Sequence, residues 1–173
     1  MKIKKDYLEG ATDSLDLVPI AAYFGKGKRT GVYGGFLLAC YNDTEDTYQT
    51  ITKIGTGFSD EDLVKWTEKL KETVLPSPPN YFDISDSNKP DVWFEPTYVW
   101  EIRAADLSLS PAYMAAIGIA APDRGISLRF PRFLRLREDK APSDATNADQ
   151  VVDMYYSQSL TEGLGTKSAA KYY

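Results

Sequence analysis

The sequence contains no histidine and only one cysteine among its 173 residues. Without an imidazole, the chain cannot supply a Ser-His-Asp triad, a histidine general base or a histidine-ligated zinc site. Cys40 has no partner for an internal disulfide or a thiolate metal cluster. Because it lies in the apolar run 36–41, we expect a buried, unreactive thiol. Self-contained hydrolytic chemistry is therefore not expected.

Long apolar runs are also missing. No stretch approaches the ~18 apolar residues of a membrane span, and the amino terminus lacks the apolar centre of a signal peptide. We therefore expect no membrane partner and an intracellular, reducing environment. The composition, with 43% hydrophobic and 26% charged residues, is that of a single globular domain that buries a substantial core.

Positive charge is scarce in most of the chain but concentrated in three segments. The net charge is −5 and the isoelectric point is near 4.8. Residues 1–5, 25–29 and 124–140 nevertheless hold 12 of the 20 basic residues and two of the 25 acidic ones, so they carry +10 and the remainder carries −15. Since fields act over a Debye length of about 8–10 Å, the local charge decides what a surface attracts. The acidic total does not exclude a nucleic-acid partner.

The periodicity of apolar residues predicts a mainly β protein. Alternating runs, interrupted by one helical pattern that Ser59 can cap, favour an OB-fold, a five-stranded antiparallel Greek-key barrel with one inserted helix and a C-terminal helix. Residues 106–125 are expected to be rich in loops. The predicted strands are 15–24, 33–41, 48–54, 81–84, 98–105 and 126–137, and the predicted helices are about 60–74 and 148–157.

Residues 129–140 form the most informative segment. They contain four arginines, one lysine and two phenylalanines in twelve positions. Guanidinium groups bind phosphates through paired N–H donors, and aromatic rings can wedge against sugars or bases. An amphipathic strand with solvated charges explains the same composition, so the pattern alone leaves both interpretations open.

Ordered sequence blocks resemble the ATP-dependent DNA ligases, in particular the eukaryotic DNA ligase I type. The segment Arg137-Glu138-Asp139-Lys140 is similar to the R-x-D-K of motif VI, and Lys2-Ile3-Lys4 is similar to motif V. R-x-D-K alone is a weak signal, but the ordered set spans residues 2 to about 156. Further similar blocks are Leu15-Asp16-Leu17-Val18, Gly25-Lys26-Gly27-Lys28-Arg29, Tyr33-Gly34-Gly35-Phe36, Gly55-Thr56-Gly57-Phe58 and Ala105-Asp106-Leu107-Ser108.

The resemblance implies roles in nucleotide chemistry for two groups. Lys2 and Lys4 match the motif V lysines, which contact the α-phosphate of the nucleotide. Arg137, Asp139 and Lys140 match the motif VI residues, which orient the β,γ-phosphates so that pyrophosphate leaves in line during enzyme adenylation.

The resemblance also implies DNA contacts. Arg129 and Phe130 match a pair that enters the minor groove near the nick. Lys26, Lys28 and Arg29 fall in a glycine-flanked loop suited to close approach of DNA phosphates. Isolated carboxylates such as Glu101 and Asp106 lack a partner cluster, so we expect no metal ligand in this domain.

The nucleophilic lysine of this family is absent from the sequence. Its K-x-D-G motif does not occur, since Lys89-Pro90-Asp91 is followed by Val92. We therefore expect a C-terminal part of a ligase, inactive alone, with residues 1–6 ending the nucleotidyltransferase domain, 7–160 forming the OB domain and 161–173 a flexible tail.

The resemblance implies ATP and Mg²⁺, both shared with the nucleotidyltransferase domain. It also implies nicked duplex DNA as substrate in replication and repair, partner catalytic and helical DNA-binding domains in the same polypeptide, a monomer and a nuclear location. Two alternatives remain open at this point. One is a free-standing OB module for single-stranded nucleic acid, and the other is the OB domain of an mRNA-capping guanylyltransferase.

Overall fold

The computed structural model describes residues 14–165, with side chains described through residue 158. This range contains ten strands and two α-helices. The strands are β1 (Ser14–Phe24), β2 (Tyr33–Asn42), β3 (Thr47–Ile54), β4 (Val74–Leu75), β5 (Phe82–Asp83), β6 (Val92–Phe94), β7 (Trp100–Arg103), β8 (Asp106–Ser110), β9 (Gly125–Arg129) and β10 (Arg132–Leu136), and the helices are α1 (Asp60–Lys71) and α2 (Ala148–Gly165).

The predicted mainly β OB-fold is confirmed, with its strands in one eight-stranded and one two-stranded sheet. Strands β10, β7, β1, β2 and β3 are neighbours in that order with antiparallel pairing, and β8 pairs separately with β9. Strands β7 and β8 follow each other closely in the sequence, as do β9 and β10, so each of these two pairs links the two sheets. Short strands extend the sheet, including the parallel pair β3–β5. The chain is a mainly β OB-fold with one inserted helix and a C-terminal helix.

Local sequence signals explain two details of this architecture. Pro19 cannot donate to a ladder, and the register of β1 against β2 shifts between Pro19 and Ala21, as expected of a bulge. The Ser59 side chain accepts from the N–H of Asp62 at 3.0 Å, while the carboxylate of Asp62 accepts from the N–H of Ser59 at 3.1 Å. This reciprocal capping fixes the start of α1 at the predicted place.

The apolar core lies on both faces of the central strands. One cluster fills the barrel beneath α1, where Trp66 and Trp100 are 3% and 0% exposed and stack edge to face. The second covers the outer face of β1 and β2 and includes Ile20 and Leu37. Cys40 is fully buried, as predicted, and burial raises the pKa of its thiol to about 12. Within residues 14–165, no helix is long and apolar enough to cross a membrane.

Three boundaries differ from the sequence predictions. Helix α1 ends at Lys71 rather than 74, because Val74 and Leu75 pair with β6. The predicted loop-rich region begins with a strand, β8, whose alternation of leucine with polar residues pairs with β9. Helix α2 continues to Gly165, eight residues past its predicted end, so part of the predicted tail is helical, and residues 166–173 lie outside the described range.

Candidate functional site

The basic segment 129–140 is divided by β10 into two separate sites. Phe130 lies in the corner before β10, and Arg137 follows the end of the strand. At about 3.3 Å per residue of extended chain, the two positions are on the order of 20 Å apart. The single predicted strand 126–137 is therefore two strands joined at Phe130 and Pro131, with a site at each end of the second.

The predicted motif VI residues come together at the far end of β10. The backbone N–H of Arg137 donates to the carbonyl of Val99 at 2.7 Å, which continues the pairing with the β7 side of the sheet. The guanidinium of Arg137 donates to both oxygens of Asp139, at 3.1 and 3.0 Å. Lys140 lies one turn further on, where its N–H approaches the Arg137 carbonyl at 3.4 Å.

Asp16 of β1 joins these residues into one ion cluster. Its carboxylate accepts from Nη1 of Arg137 at 3.0 and 3.1 Å and from Nζ of Lys140 at 2.8 Å. The side chains of Asp16, Arg137 and Lys140 are 13%, 18% and 31% exposed. With Asp139, the four groups sum to zero charge. In the sequence, Asp16 belongs to the block Leu15-Asp16-Leu17-Val18 that resembles the ligase family, but no motif assigns it a role.

Charge pairing shifts the pKa values in this cluster. The hydrogen bonds from Arg137 lower the pKa of Asp139 to about 2, and the same pairing with Asp139 raises the pKa of Arg137. Both groups are therefore charged throughout the physiological pH range. Neither Arg137 nor Asp139 can therefore act as an acid or base near neutral pH, and the role open to Arg137 is that of a charged N–H donor.

The corner before β10 exposes the other predicted pair. Phe130 is 73% exposed and has a φ of +53°, a conformation that costs a non-glycine residue about 1–2 kcal/mol. The Arg129 guanidinium lies 5.2 Å from the centre of its ring. The hydroxyl of Thr56 donates to the carbonyl of Pro131 at 2.6 Å, which fixes the corner from outside the segment. Strain retained at an exposed aromatic residue is typical of functional positions.

Two further arginines beside this corner were not singled out from the sequence. Arg132 and Arg103 are directly opposite each other in the β10–β7 register, and both are exposed. Within the described range, neither has a carboxylate within 4.0 Å. Like charges opposite each other destabilise a sheet. The pair therefore adds to the positive surface next to Phe130, and only the strand register reveals it.

The lysines and the arginine of the predicted basic loop, residues 25–29, differ in their surroundings. Lys26 and Lys28 are exposed on either side of Gly27, which has a φ of +60°. Nη1 of Arg29, in contrast, donates to the carbonyls of Gly34 and Gly55 at 3.0 Å each, so this arginine joins the loop to the barrel.

A cleft of about 420 Å³ beside this loop brings further cations together. Lys26, Arg29, Lys53 and Lys89 contribute to its wall. Lys53 and Lys89 are distant in sequence from the loop, so no local motif indicated them. Lys53 also holds its ammonium 3.9 Å from the centre of the Tyr23 ring.

Two predictions remain, one for the motif V lysines and one for metal ligands. Lys2 and Lys4 lie outside the described residues. Between residues 14 and 158, no group of three or more cysteine, aspartate or glutamate side chains is placed to hold a metal ion. The carboxylates of Asp16 and Asp139 are paired with Arg137 and Lys140.

Basic side chains lie at both ends of β10, on a chain whose fold defines the class, an OB-fold domain. Residues 29–140 match the family model described as the ATP-dependent DNA ligase C-terminal region. The chain belongs to this family. The ligase domain of Mycobacterium tuberculosis LigD has the same fold, with a TM-score of 0.59, 21% identity and coverage of 78% of this chain and 38% of that one.

Curated relatives are much more similar in sequence. The chain is 61% identical to DNA ligase 1 of Dictyostelium discoideum over 160 residues, covering 92% of this chain and 13% of the relative. It is 54% identical to DNA ligase 1 of Schizosaccharomyces pombe over 177 residues, covering 99% of this chain and 23% of the relative. The chain therefore spans less than a quarter of the length of these relatives.

Proposed function

We propose that this chain is the C-terminal OB-fold domain of an ATP-dependent DNA ligase that seals single-strand nicks in duplex DNA. One observation carries the proposal. The Arg137, Asp139 and Lys140 side chains of the R-x-D-K segment, which lies within the region matched to the ligase family, form one ion cluster with Asp16 at the end of β10. In the complete enzyme, the nucleotidyltransferase domain supplies the nucleophilic lysine, and the isolated chain does not ligate.

The first role of the domain is in self-adenylation of the enzyme. Arg137 and Lys140 bind the β,γ-phosphates of ATP, and Asp139 orients the guanidinium through its two hydrogen bonds. Fixed donors placed at the leaving pyrophosphate favour in-line displacement, because charge builds up there in the transition state. ATP and Mg²⁺ are held mainly by the nucleotidyltransferase domain, to which Lys2 and Lys4 contribute motif V.

The second role is engagement of nicked DNA. Phe130 and Arg129 enter the minor groove, where an exposed ring can wedge between base pairs. Lys26 and Lys28 contact the phosphate backbone, and Arg29 supports their loop. Because the two sites lie at opposite ends of β10, the domain presents different surfaces in the two steps.

The cellular context follows from the same proposal. The partners are the nucleotidyltransferase and helical DNA-binding domains of the same polypeptide, and the enzyme works as a nuclear monomer in replication and repair. The alternative of a module for single-stranded nucleic acid gives no account of the R-x-D-K segment, whose Arg137 and Lys140 join in one ion cluster. The family match favours a ligase over a capping guanylyltransferase.

The motif VI proposal is tested by measuring the two half-reactions separately in the complete ligase. Arg137→Ala removes charge-assisted hydrogen bonds worth roughly 1.5–3 kcal/mol, so self-adenylation should slow by about 10- to 100-fold. Sealing of a pre-adenylated nick, which needs no pyrophosphate departure, should change by much less. Equal loss in both assays would contradict the assignment.

A further inference from the structure

The aspartate on β1 occupies the centre of the motif VI cluster, although it lies more than 120 residues away in sequence. We propose that Asp16 is a positioning residue for nucleotide, which holds Arg137 and Lys140 together so that both cations reach the same triphosphate. This inference rests on the proposed function and extends it to a residue outside motif VI.

The position of Asp16 is itself fixed by the fold. Its N–H donates to Oγ1 of Thr146 at 2.9 Å, and its carbonyl accepts from the N–H of Thr146 at 2.8 Å. Its neighbours Leu15 and Leu17 are buried in the barrel at 1% and 0% exposure, so strand alternation directs the Asp16 side chain to the opposite face. A carboxylate held at its backbone on both sides is a rigid anchor.

Among the described residues, Asp16 is the carboxylate that Arg137 and Lys140 share, whereas Asp139 pairs with Arg137 alone. Arg137 and Lys140 follow the end of β10 in a segment that belongs to no strand. Two like charges three residues apart repel each other, and each long side chain loses rotamer freedom when it is ordered. Asp16 bonds both side chains, at 3.0 and 2.8 Å, and so orders them before the nucleotide arrives.

Donors remain available to phosphate while Asp16 is bound. A guanidinium has five N–H donors and an ammonium has three. Arg137 uses its Nε–Nη2 edge for Asp139 and Nη1 for both oxygens of Asp16, which leaves one N–H on Nη2. Lys140 directs one donor to Asp16 and keeps two. The carboxylate therefore orients the cations without using all of their donors.

The test is the ATP dependence of self-adenylation in the complete ligase carrying Asp16→Asn. Ordering of two long side chains at the moment of binding predicts an increase in KM for ATP of about 10- to 100-fold. Sealing of a pre-adenylated nick should stay within about 3-fold of wild type. Asp16→Glu, which keeps the charge, should recover most of the affinity for ATP.

The matched control is Glu101→Gln. Glu101 lies directly opposite Asp16 in the β1–β7 register and pairs with Arg135 at 2.6 Å, outside motif VI. Because Glu101 makes no hydrogen bond to Arg137 or Lys140, Glu101→Gln should raise the KM for ATP by much less than Asp16→Asn does. Melting temperatures of all variants show whether folding is intact, and Asp16→Asn added to Lys140→Ala should raise KM by less than it does in the wild-type background.

Several outcomes would overturn the inference. A lower KM for ATP in Asp16→Asn would make the carboxylate a competitor of the triphosphate rather than a positioning group. Equal losses in adenylation and sealing, or the same effect from Glu101→Gln, would reduce Asp16 to a structural residue. If Arg137→Ala slows adenylation selectively and Asp16→Asn does not, only this inference fails. If neither does, the proposed function of motif VI fails as well.

Discussion

Phe130 allows strain and function to be separated at one position. In Phe130→Ala the ring is lost but a side chain remains at a φ of +53°, whereas Phe130→Gly also removes the strain. The strain costs about 1–2 kcal/mol, and the greater freedom of glycine in the unfolded chain offsets about 0.5–1 kcal/mol of its relief. The glycine variant should therefore be about 1 kcal/mol more stable than the alanine variant.

This difference is measurable by thermal unfolding of the chain, followed by circular dichroism. For a chain of this size, about 1 kcal/mol corresponds to a difference of roughly 2–4 °C in melting temperature. Because the ring is 73% exposed and is lost in both variants, its burial does not enter the comparison. An alanine variant that melts at or above the glycine variant would refute the argument from backbone strain.

The same variants test the minor-groove role. An inserted ring contributes roughly 1–3 kcal/mol, so both variants should bind a nicked duplex about 5- to 150-fold more weakly, by similar factors, at one fixed salt concentration. Fluorescence anisotropy with the complete ligase measures this affinity. Tyr156→Ala, which removes an exposed aromatic side chain from α2, is the control and should leave binding unchanged. Unchanged binding in the Phe130 variants would refute the role.

Two further predictions concern residues that hold these sites in place. A Cβ at Gly57 would lie 2.6 Å from the backbone N and O of Phe133 in β10. Gly57→Ala should therefore lower the melting temperature more than Gly118→Ala, because Gly118 has a similar φ of +82° but open surroundings. Equal losses in melting temperature would contradict the packing argument. The pairing with Arg137 lowers the pKa of the Asp139 carboxylate to about 2, so its contribution to stability should be fully present above about pH 4 and be lost as the pH falls through about 2. A titration of the carboxyl carbon by NMR measures this pKa. A midpoint near 3.8 would contradict the pairing with Arg137.

Much of the fold could be predicted because its signals are local. Mostly apolar runs identified β1 and β2, alternation identified β3, and the capping of α1 by Ser59 follows from one side chain and its neighbours. Strand β8 was missed although leucine alternates with polar residues in it, because its five residues contain only two apolar side chains, and its pairing with β9 identifies it. The early end of α1 likewise depends on Val74 finding a partner in β6.

The candidate site could likewise be predicted only in part from the sequence. Motif VI could be located because its four residues stand in an ordered set of similar blocks, but its cations are held by Asp16, which no spacing rule connects to them. The exposed Arg103 and Arg132 become a pair only through strand register. Arg29 was predicted to contact DNA from its basic loop, but its side chain donates hydrogen bonds to the carbonyls of Gly34 and Gly55. Residue types indicated the chemistry, and long-range pairing determined the geometry.

The central claim is that the two ends of β10 serve two different steps of ligation. The most direct test measures self-adenylation and sealing of a pre-adenylated nick for Arg137→Ala and Phe130→Ala in the same enzyme. Arg137→Ala should mainly reduce adenylation, and Phe130→Ala should mainly reduce nick engagement and leave adenylation nearly intact. Matching losses in both steps for both variants would contradict the claim, because one shared site would then account for them.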